Sequence, residues 1–172
     1  CLAAQEQARG PDDPFVAGLL MSLARELKAN GDYAGARPKF ERALAIREQA
    51  LGPEHPDVAD SLNGLASLLY VLGDYPAAKP LFERALAINE KQLGPDDPQV
   101  ARVLANLTNL VQAQGDLEAA RPLLERALAI RERALGPDHP DVATSLNNLA
   151  VLLHLQGDTA AALPLAERAL TI

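Results

Sequence analysis

Residues 51–92 read LGPEHPDVADSLNGLASLLYVLGDYPAAKPLFERALAINEKQ, and this stretch decides the fold. The same pattern recurs with few changes at residues 93–134, and a third copy starts at Leu135 and runs to Ile172. Residues 9–50 begin RGPDDPFVA and end FERALAIREQA, so the unit is present there as well. The period is therefore 42 residues, read four times. Self-similarity at such a period predicts a repeat array, in which each unit buries its apolar face only by stacking on its neighbours.

Composition and charge restrict the fold class and the partners. Hydrophobic residues make up 48% of the chain but aromatic residues only 3%, so burial must come from alanine and leucine, which are strong helix formers. The formal net charge of −7 argues against nucleic-acid or membrane partners, since both are bound by basic patches. A single cysteine excludes an intrachain disulfide and fits a reducing, cytoplasmic location. No apolar run approaches the roughly 18 residues of a membrane helix. We expect an all-α protein.

Each unit predicts two helices. In the first, helix A, apolar residues recur at spacings of three and four between Pro56 and Leu72, which indicates one helical face. The second, helix B, is predicted from about Tyr75 to Leu93. Between them a Gly-Asp pair can end one helix and cap the next, and a Leu-Gly-Pro sequence ends helix B. The residue before the first proline of helix A is placed to cap that helix. In the four units this residue is Asp13, His55, Asp97 or His139.

Proline recurs inside every predicted helix B. It lies about six residues from the start, where it removes a backbone hydrogen bond and costs about 3 kcal/mol. Because the pattern occurs four times, we predict a local kink or a widened first turn in each of these helices. The four residues are Pro38, Pro80, Pro122 and Pro164.

The repeats set the predicted domain organisation, which is one continuous solenoid domain. Residues 1–8 align with residues 43–50 and predict the end of a preceding helix B, with Cys1 in the small packing position that Ala43 takes. A lipid-anchored Cys1 is the alternative. We expect the chain to be a piece of a longer array. The repeats span residues 9–50, 51–92, 93–134 and 135–172, the last of them truncated.

Several residues carry a resemblance to a known family. Counted from Gly73, the residues Leu65-Ala66, Ala78, Phe82 and Ala85 fall on the positions that tetratricopeptide repeats reserve for leucine, a small residue, alanine, an aromatic and alanine. The 42-residue unit with L-G-P-x-H/D-P-x-V-A, L-N-N-L-A and E-R-A-L-A-I resembles the long subtype found in kinesin light chains and in many bacterial proteins. The resemblance covers essentially the whole chain, and from it we expect a bacterial origin.

This resemblance implies a fold and a binding surface. The fold is a right-handed α-α superhelical solenoid of four tetratricopeptide repeats, built from antiparallel helix hairpins, with the A helices on the concave side. A peptide-binding groove is implied at the helix A residues that occupy the second, fifth, ninth and twelfth positions of the repeat motif. In this sequence these positions are Gly18, Met21, Arg25, Lys28, Asp60, Asn63, Ser67, Tyr70, Arg102, Ala105, Asn109, Gln112, Thr144, Asn147, Val151 and His154. One position later, Asn106 and Asn148 are expected to support the same surface.

The predicted groove contains three cations and one anion, although the whole chain is acidic. We therefore predict a preference for an extended peptide with acidic residues. Asparagine amides can pair with both backbone groups of such a peptide, and Arg25 or Arg102 can hold a carboxylate bidentately. A clamp for two carboxylates of the kind that holds chaperone tails is not expected, because Ala105 and Gly64 stand where it needs polar groups. The alternative is that these residues form a solvated helix face.

The sequence offers little for catalysis, a metal or a cofactor, and we expect none of them. His55 and His139 share one loop position two units apart, which favours capping over a shared metal. His154 stands alone on the predicted groove and is expected to contact a ligand or solvent. No serine has a partnered histidine and aspartate at a motif spacing. The recurring Glu-Arg pairs of helix B, such as Glu41 and Arg42, predict a solvated convex face with weak pairing.

Two functions follow from these observations. The leading one is a protein–protein interaction scaffold that binds an extended peptide or a partner helix in the concave groove, with the partner's identity open. The alternative is a regulatory or oligomerisation array of a larger bacterial signalling protein that carries a nucleotide-switch or protease module. Apolar surfaces at the ends of the stack also predict end-to-end self-association.

Overall fold

The computed structural model describes residues 2–172, so that the predicted packing role of Cys1 lies outside the described residues. Within them the chain forms nine α-helices and no strand, which confirms the all-α prediction. In chain order they are α1 (Leu2–Arg9), α2 (Pro14–Ala29), α3 (Tyr33–Leu51), α4 (Pro56–Val71), α5 (Tyr75–Leu93), α6 (Pro98–Ala113), α7 (Leu117–Leu135), α8 (Pro140–Leu155) and α9 (Thr159–Thr171).

The helix boundaries repeat with the sequence. The A helices α2, α4, α6 and α8 each contain 16 residues and begin at a proline. The B helices α3, α5 and α7 each contain 19 residues. The predicted helix A ends one residue beyond the observed Val71, and the predicted helix B agrees with α5.

The described residues form two compact units. The first ends at Gln92, and the second spans Leu93–Ile172. In the first unit α2 packs against α1, α3 and α4, and α3 also packs against α4. In the second unit α7 packs against α6 and α8, and α8 packs against α9. Each unit is thus a stack of antiparallel helix hairpins, because consecutive helices joined by short loops lie against each other.

The predicted caps begin the A helices. The Asp13 carboxylate accepts a hydrogen bond from the Phe15 N–H at 2.7 Å. His55 does the same through Nδ1, which lies 3.1 Å from the Asp57 nitrogen. His139 repeats this geometry with the Asp141 nitrogen, also at 3.1 Å. Each such bond satisfies one of the N–H groups left open at a helix start, which confirms capping as the role of both histidines.

The turn between the two helices of a repeat follows its sequence signal. Gly73 adopts a φ of 80°, a conformation that only glycine enters without strain. The Asp74 N–H then bonds the Leu69 carbonyl at 2.9 Å, and the Asp74 carboxylate accepts from the Ala77 N–H at 3.2 Å. The glycine ends α4 and the aspartate caps α5, as predicted from the Gly-Asp pair.

The prolines of the B helices do not interrupt them. Helices α3, α5, α7 and α9 continue through these positions without a break. The predicted kink stays a prediction.

The arginines of helix B make contacts that the solvated-face prediction missed. Arg42 pairs with Glu6 at 2.6 Å and donates to the Pro11 carbonyl at 3.0 Å. Arg84 lies one period later and pairs with Glu48, again at 2.6 Å. Each arginine therefore reaches from its own helix to the end of the preceding helix B. These side chains are partly exposed, so we expect each pair to contribute at most about 1 kcal/mol.

The core of the first unit closes around a glycine in α4. Phe40 and Met21 are each 1% exposed. A Cβ atom built on Gly64 would lie 2.8 Å from Cε1 of Phe40 and 3.0 Å from Cε of Met21. Only glycine therefore lets α4 approach both side chains, and this contact joins α2, α3 and α4.

A pair of glycine substitutions tests this contact. Gly64→Ala should destabilise the chain by about 1–3 kcal/mol, because overpacking forces neighbouring side chains out of position. Gly18→Ala is the control, since a Cβ there meets no atom within 4 Å. The control should be neutral or stabilising by up to about 1 kcal/mol, because alanine favours helix interiors over glycine. Urea unfolding of both variants measures the difference, and equal stabilities would contradict the packing described here.

Candidate functional site

Two of the predicted groove positions are buried in the structure. Met21 is 1% exposed and Asn63 is 3% exposed. Met21 fills the space beside Gly64 and Phe40, and Asn63 belongs to a helix with ten buried residues. Neither side chain lies on an open surface.

The other predicted positions keep some or most of their surface. The exposed ones are Arg25, Asn109, Thr144, Asn147, Val151 and His154. The half-buried ones are Gly18, Lys28, Asp60, Ser67, Tyr70, Arg102, Ala105 and Gln112.

In the first unit, Asp60, the predicted anion of the groove, forms an ion pair with Arg25, one of its predicted cations. Nη2 of Arg25 lies 2.8 Å and 2.7 Å from the two carboxylate oxygens of Asp60. Nη1 of Arg47, on α3, lies 3.3 Å from the same carboxylate and donates to the Ser61 hydroxyl at 2.9 Å. Arg47 is 8% exposed, and its Nε is buried without a hydrogen-bond partner among the described residues. The Asp60 carboxylate therefore lies between two guanidinium groups of its own chain.

Lys28, a second predicted cation of the groove, also has a hydrogen-bond partner within this unit. Lys28 Nζ donates to the Ser67 hydroxyl at 2.5 Å. Its partial burial, and to a smaller extent the nearby charge of Arg25, lower the pKa of the Lys28 amine from its usual value. The cations that predicted an acidic ligand thus already have partners in the first unit. This reduces the positive charge available there to a ligand.

The second unit contains an open recess instead. It has a volume of about 200 Å³ and lies among α6, α7 and α8. The predicted groove residues in its lining are Ala105, Asn109, Gln112, Thr144 and Val151, together with the predicted supporting residue Asn148. The remaining lining residues were not predicted to belong to the groove; they are Thr108, Leu124, Ala127 and Arg131.

Smaller side chains open this recess. Two periods separate Met21 from Ala105, and Phe40 from Leu124. In the first unit, methionine and phenylalanine are almost fully buried and fill the space above Gly64. Alanine and leucine leave part of that space empty in the second unit, where Asn148 takes the place of the glycine. The recess is therefore polar on one side and apolar on the other.

Arg131 is the charged residue of the recess that sequence reasoning missed. It belongs to helix B, whereas the predicted groove used helix A alone. A signal was present, since successive repeats carry Arg47, Asn89 and Arg131 at one position among alanines and isoleucines. Arg47 and Asn89 are buried, so this helix B position lies beneath the A helices.

An apolar recess of about 290 Å³ lies between α8 and α9. Its lining includes Val151, Leu155 and Leu163, which are 51%, 62% and 59% exposed. Asn147 and His154 also line it, and His154 Nδ1 lies 3.2 Å from the Thr159 hydroxyl. The histidine therefore borders an apolar surface and has a local partner.

Between residues 2 and 172, no group of three or more histidines, cysteines and acidic residues is placed to hold a metal ion. Over the same part of the chain, no helix combines the length and the apolar character needed to cross a membrane.

Sequence comparison shows the family. The sequence model of the tetratricopeptide repeat matches residues 15–91, 57–133 and 109–172. The chain belongs to the tetratricopeptide repeat family, whose stacked helix pairs serve as protein-interaction surfaces. No curated protein sequence matches the chain significantly.

Solved structures support the kinesin-light-chain-like subtype. BtubC (BKLC) from P. vanneervenii is 29% identical with a TM-score of 0.83, over 91% of this chain and 63% of that one. The nearly identical TPR-like repeats of a Podosopora anserina protein described as a kinesin light chain are also 29% identical, with a TM-score of 0.78 over 99% of this chain and 81% of theirs. Aspartyl phosphate phosphatase F from Bacillus subtilis shares the fold at 16% identity, with a TM-score of 0.81 over 92% of this chain and 40% of that one. The chain thus spans less than two thirds of BtubC.

The role of Asp60 in the first unit can be tested by stability. Asp60→Asn should destabilise the chain by about 1–3 kcal/mol, because Arg47 then loses a charged partner in a mostly buried site. Glu41→Gln is the control, because it removes a carboxylate from the exposed pair that Arg37 makes with Glu41 at 2.8 Å. The control should change the unfolding midpoint little. Equal losses in urea unfolding would show that Asp60 is no more than a surface charge.

Proposed function

We propose that this chain docks an extended peptide or a partner helix on the exposed face of its A helices, with the recess of the second unit as the main contact. The observation that carries the proposal is that this recess collects five of the predicted groove residues in one concave place. The proposal assigns no chemistry to the chain and places the docking in the cytoplasm, as the sequence predicts.

The lining suits a peptide backbone. Asn109, Gln112 and Asn148 each offer amide donors and a carbonyl acceptor, so that they can pair with both groups of an extended chain. Leu124 and Ala127 form an apolar floor for a side chain. Docking then needs only hydrogen bonds and burial, both of which a preformed recess supplies with little reorganisation.

The acidic preference of the ligand is proposed for the second unit. In the first unit Asp60 and Ser67 already hold Arg25 and Lys28. The recess of the second unit contains Arg131 and no acidic side chain in its lining. An acidic peptide would therefore gain a charged contact there, while the net charge of −7 opposes its approach from a distance.

Alanine substitutions in the recess test the docking. The triple variant Asn109→Ala, Gln112→Ala, Asn148→Ala should weaken capture on a peptide array at least about tenfold, since each lost hydrogen bond costs about 0.5–1.5 kcal/mol. The control variant Lys79→Ala, Glu83→Ala changes exposed residues of α5 and should bind as the original chain does. Undiminished capture by the triple variant would remove the recess from the proposal.

Self-association is a second proposal, and the apolar recess between α8 and α9 supports it. Exposed leucines around one concavity are typical of a contact surface. Leu163→Glu should abolish concentration-dependent association in sedimentation velocity, because a buried carboxylate without a partner is strongly unfavourable. Val71→Glu is the control, at an apolar residue of α4 that is 44% exposed. An original chain that stays monomeric at high concentration would contradict this second proposal.

A further inference from the structure

The surroundings of one arginine position carry a different charge in the two units. Two periods separate Arg47 from Arg131, and two periods also separate Asp60 from Thr144. The arginine is thus present in both units. The carboxylate is present only in the first.

The frame that holds the arginine contains the same serine bond in both units, and in the first unit Arg47 Nη1 also donates to the Asp57 carbonyl at 2.8 Å. In the first, Arg47 Nη1 donates to the Ser61 hydroxyl at 2.9 Å, and that hydroxyl donates to the Asp57 carbonyl at 3.2 Å. In the second, Arg131 Nη1 donates to the Ser145 hydroxyl at 2.5 Å, and that hydroxyl donates to the carbonyl of Asp141 at 2.9 Å. Because the arginine–serine bond is common to both units, each guanidinium group is held against the following helix A.

The surroundings of this frame differ. In the first unit the Asp60 carboxylate reaches Arg47 and is held from the other side by Arg25. In the second unit the Thr144 hydroxyl instead donates to the Pro140 carbonyl at 3.1 Å. Asn109 takes the place of Arg25. No aspartate or glutamate is among the residues that line this recess.

The recess also has room for a ligand. Its volume of about 200 Å³ is several times the roughly 30 Å³ that one water molecule occupies in the liquid. Asn109, Gln112 and Asn148 border the same space and can donate to a carboxylate beside Arg131. A guanidinium that offers five N–H groups and uses Nη1 on a serine retains donors for a planar, charged acceptor.

We infer that the recess of the second unit is a carboxylate subsite, in which Arg131 binds an aspartate or glutamate side chain of the docked partner. Asp60 is the stand-in that shows this arrangement within the chain, because the first unit supplies the same anion to the same arginine position. The inference rests on the proposed docking function and names the chemistry that it recognises. A side-chain carboxylate is assigned because the stand-in is itself a side chain.

A small probe tests the subsite without a known partner. N-acetylaspartate N-methylamide carries one side-chain carboxylate, and N-acetylasparagine N-methylamide is its neutral match. Titration of the full chain, followed by the Nε–H signal of Arg131 in nuclear magnetic resonance spectra, should show a saturable shift with the first probe alone. Added salt should weaken this binding. Equal shifts with both probes would overturn the carboxylate assignment.

Two variants of one helix show whether the acidic probe binds at Arg131, and the control variant separates this effect from a loss of folding. Arg131→Gln should weaken binding of the acidic probe at least about tenfold, because the probe's carboxylate then loses its charged hydrogen-bond donor. This binding is followed through the side-chain amide signals of Asn109 and Asn148. Arg133→Gln is the control on the same helix, since Arg133 pairs with Asp96 at 2.7 Å. Unchanged binding by Arg131→Gln would overturn the inference.

A second pair of variants imitates the first unit. Thr144→Asp should fill the subsite with the chain's own carboxylate and abolish binding of the acidic probe. Thr144→Asn has nearly the same shape without the charge and should retain the binding. Retained binding by Thr144→Asp would overturn the inference, as would N-acetylalanine binding through its terminal carboxylate more tightly than the side-chain probe.

The outcomes separate this inference from the proposed function. Array peptides that bind the recess equally well with aspartate or asparagine, and ignore Arg131→Gln, would overturn the subsite while docking stands. An acidic probe that binds at Arg131, in a chain that captures no peptide, would support the subsite while the docking function falls.

Discussion

The structure depends on one constraint, which is that a single helix hairpin cannot bury its own apolar face. Every repeat must therefore present its neighbours with the same contact surface at the same spacing. This explains why the helices begin and end at fixed registers and why each end is closed by a glycine, an aspartate or a histidine. It also gives the arginines of helix B their role, since Arg42 and Arg84 connect their own helix B to the end of the preceding helix B.

The same constraint leaves only some positions free to vary. A position that packs against the next hairpin keeps an alanine, leucine or valine. A position on the exposed face of the A helices can change from repeat to repeat. The first unit uses Met21 and Phe40 to fill the space that the second unit leaves open beside Ala105 and Leu124. Because the backbone frame repeats, a few side chains decide whether this place is core or recess.

Much of the fold was predictable from the sequence, because its signals are local. The 42-residue period, the proline starts and the Gly-Asp turns gave the helix limits to within a residue. The role of His55 as a cap was also predictable, since a side chain two residues before a free N–H needs no tertiary contact to act. Local chemistry of this kind is the same in every repeat.

The site was less predictable, because it depends on contacts between helices. The burial of Met21 follows from a phenylalanine and a glycine on two other helices. The engagement of Arg25 follows from an aspartate 35 residues away. The pattern of helix A alone predicted that the Met21 and Arg25 side chains are available to a ligand. Arg131 escaped the prediction because family patterns assign the groove to helix A, although helix B forms its floor.

A floor built from helix B has a physical advantage for recognition. A residue on helix A projects into solvent and must be ordered when a ligand binds, which costs side-chain entropy. A half-buried arginine anchored by a serine on the next helix has already lost that freedom during folding. Its charge is also less screened than that of a fully exposed group. Stacking of the hairpins therefore orders the binding groups before a ligand arrives. The same contacts stabilise the fold and position the groups that recognise the ligand.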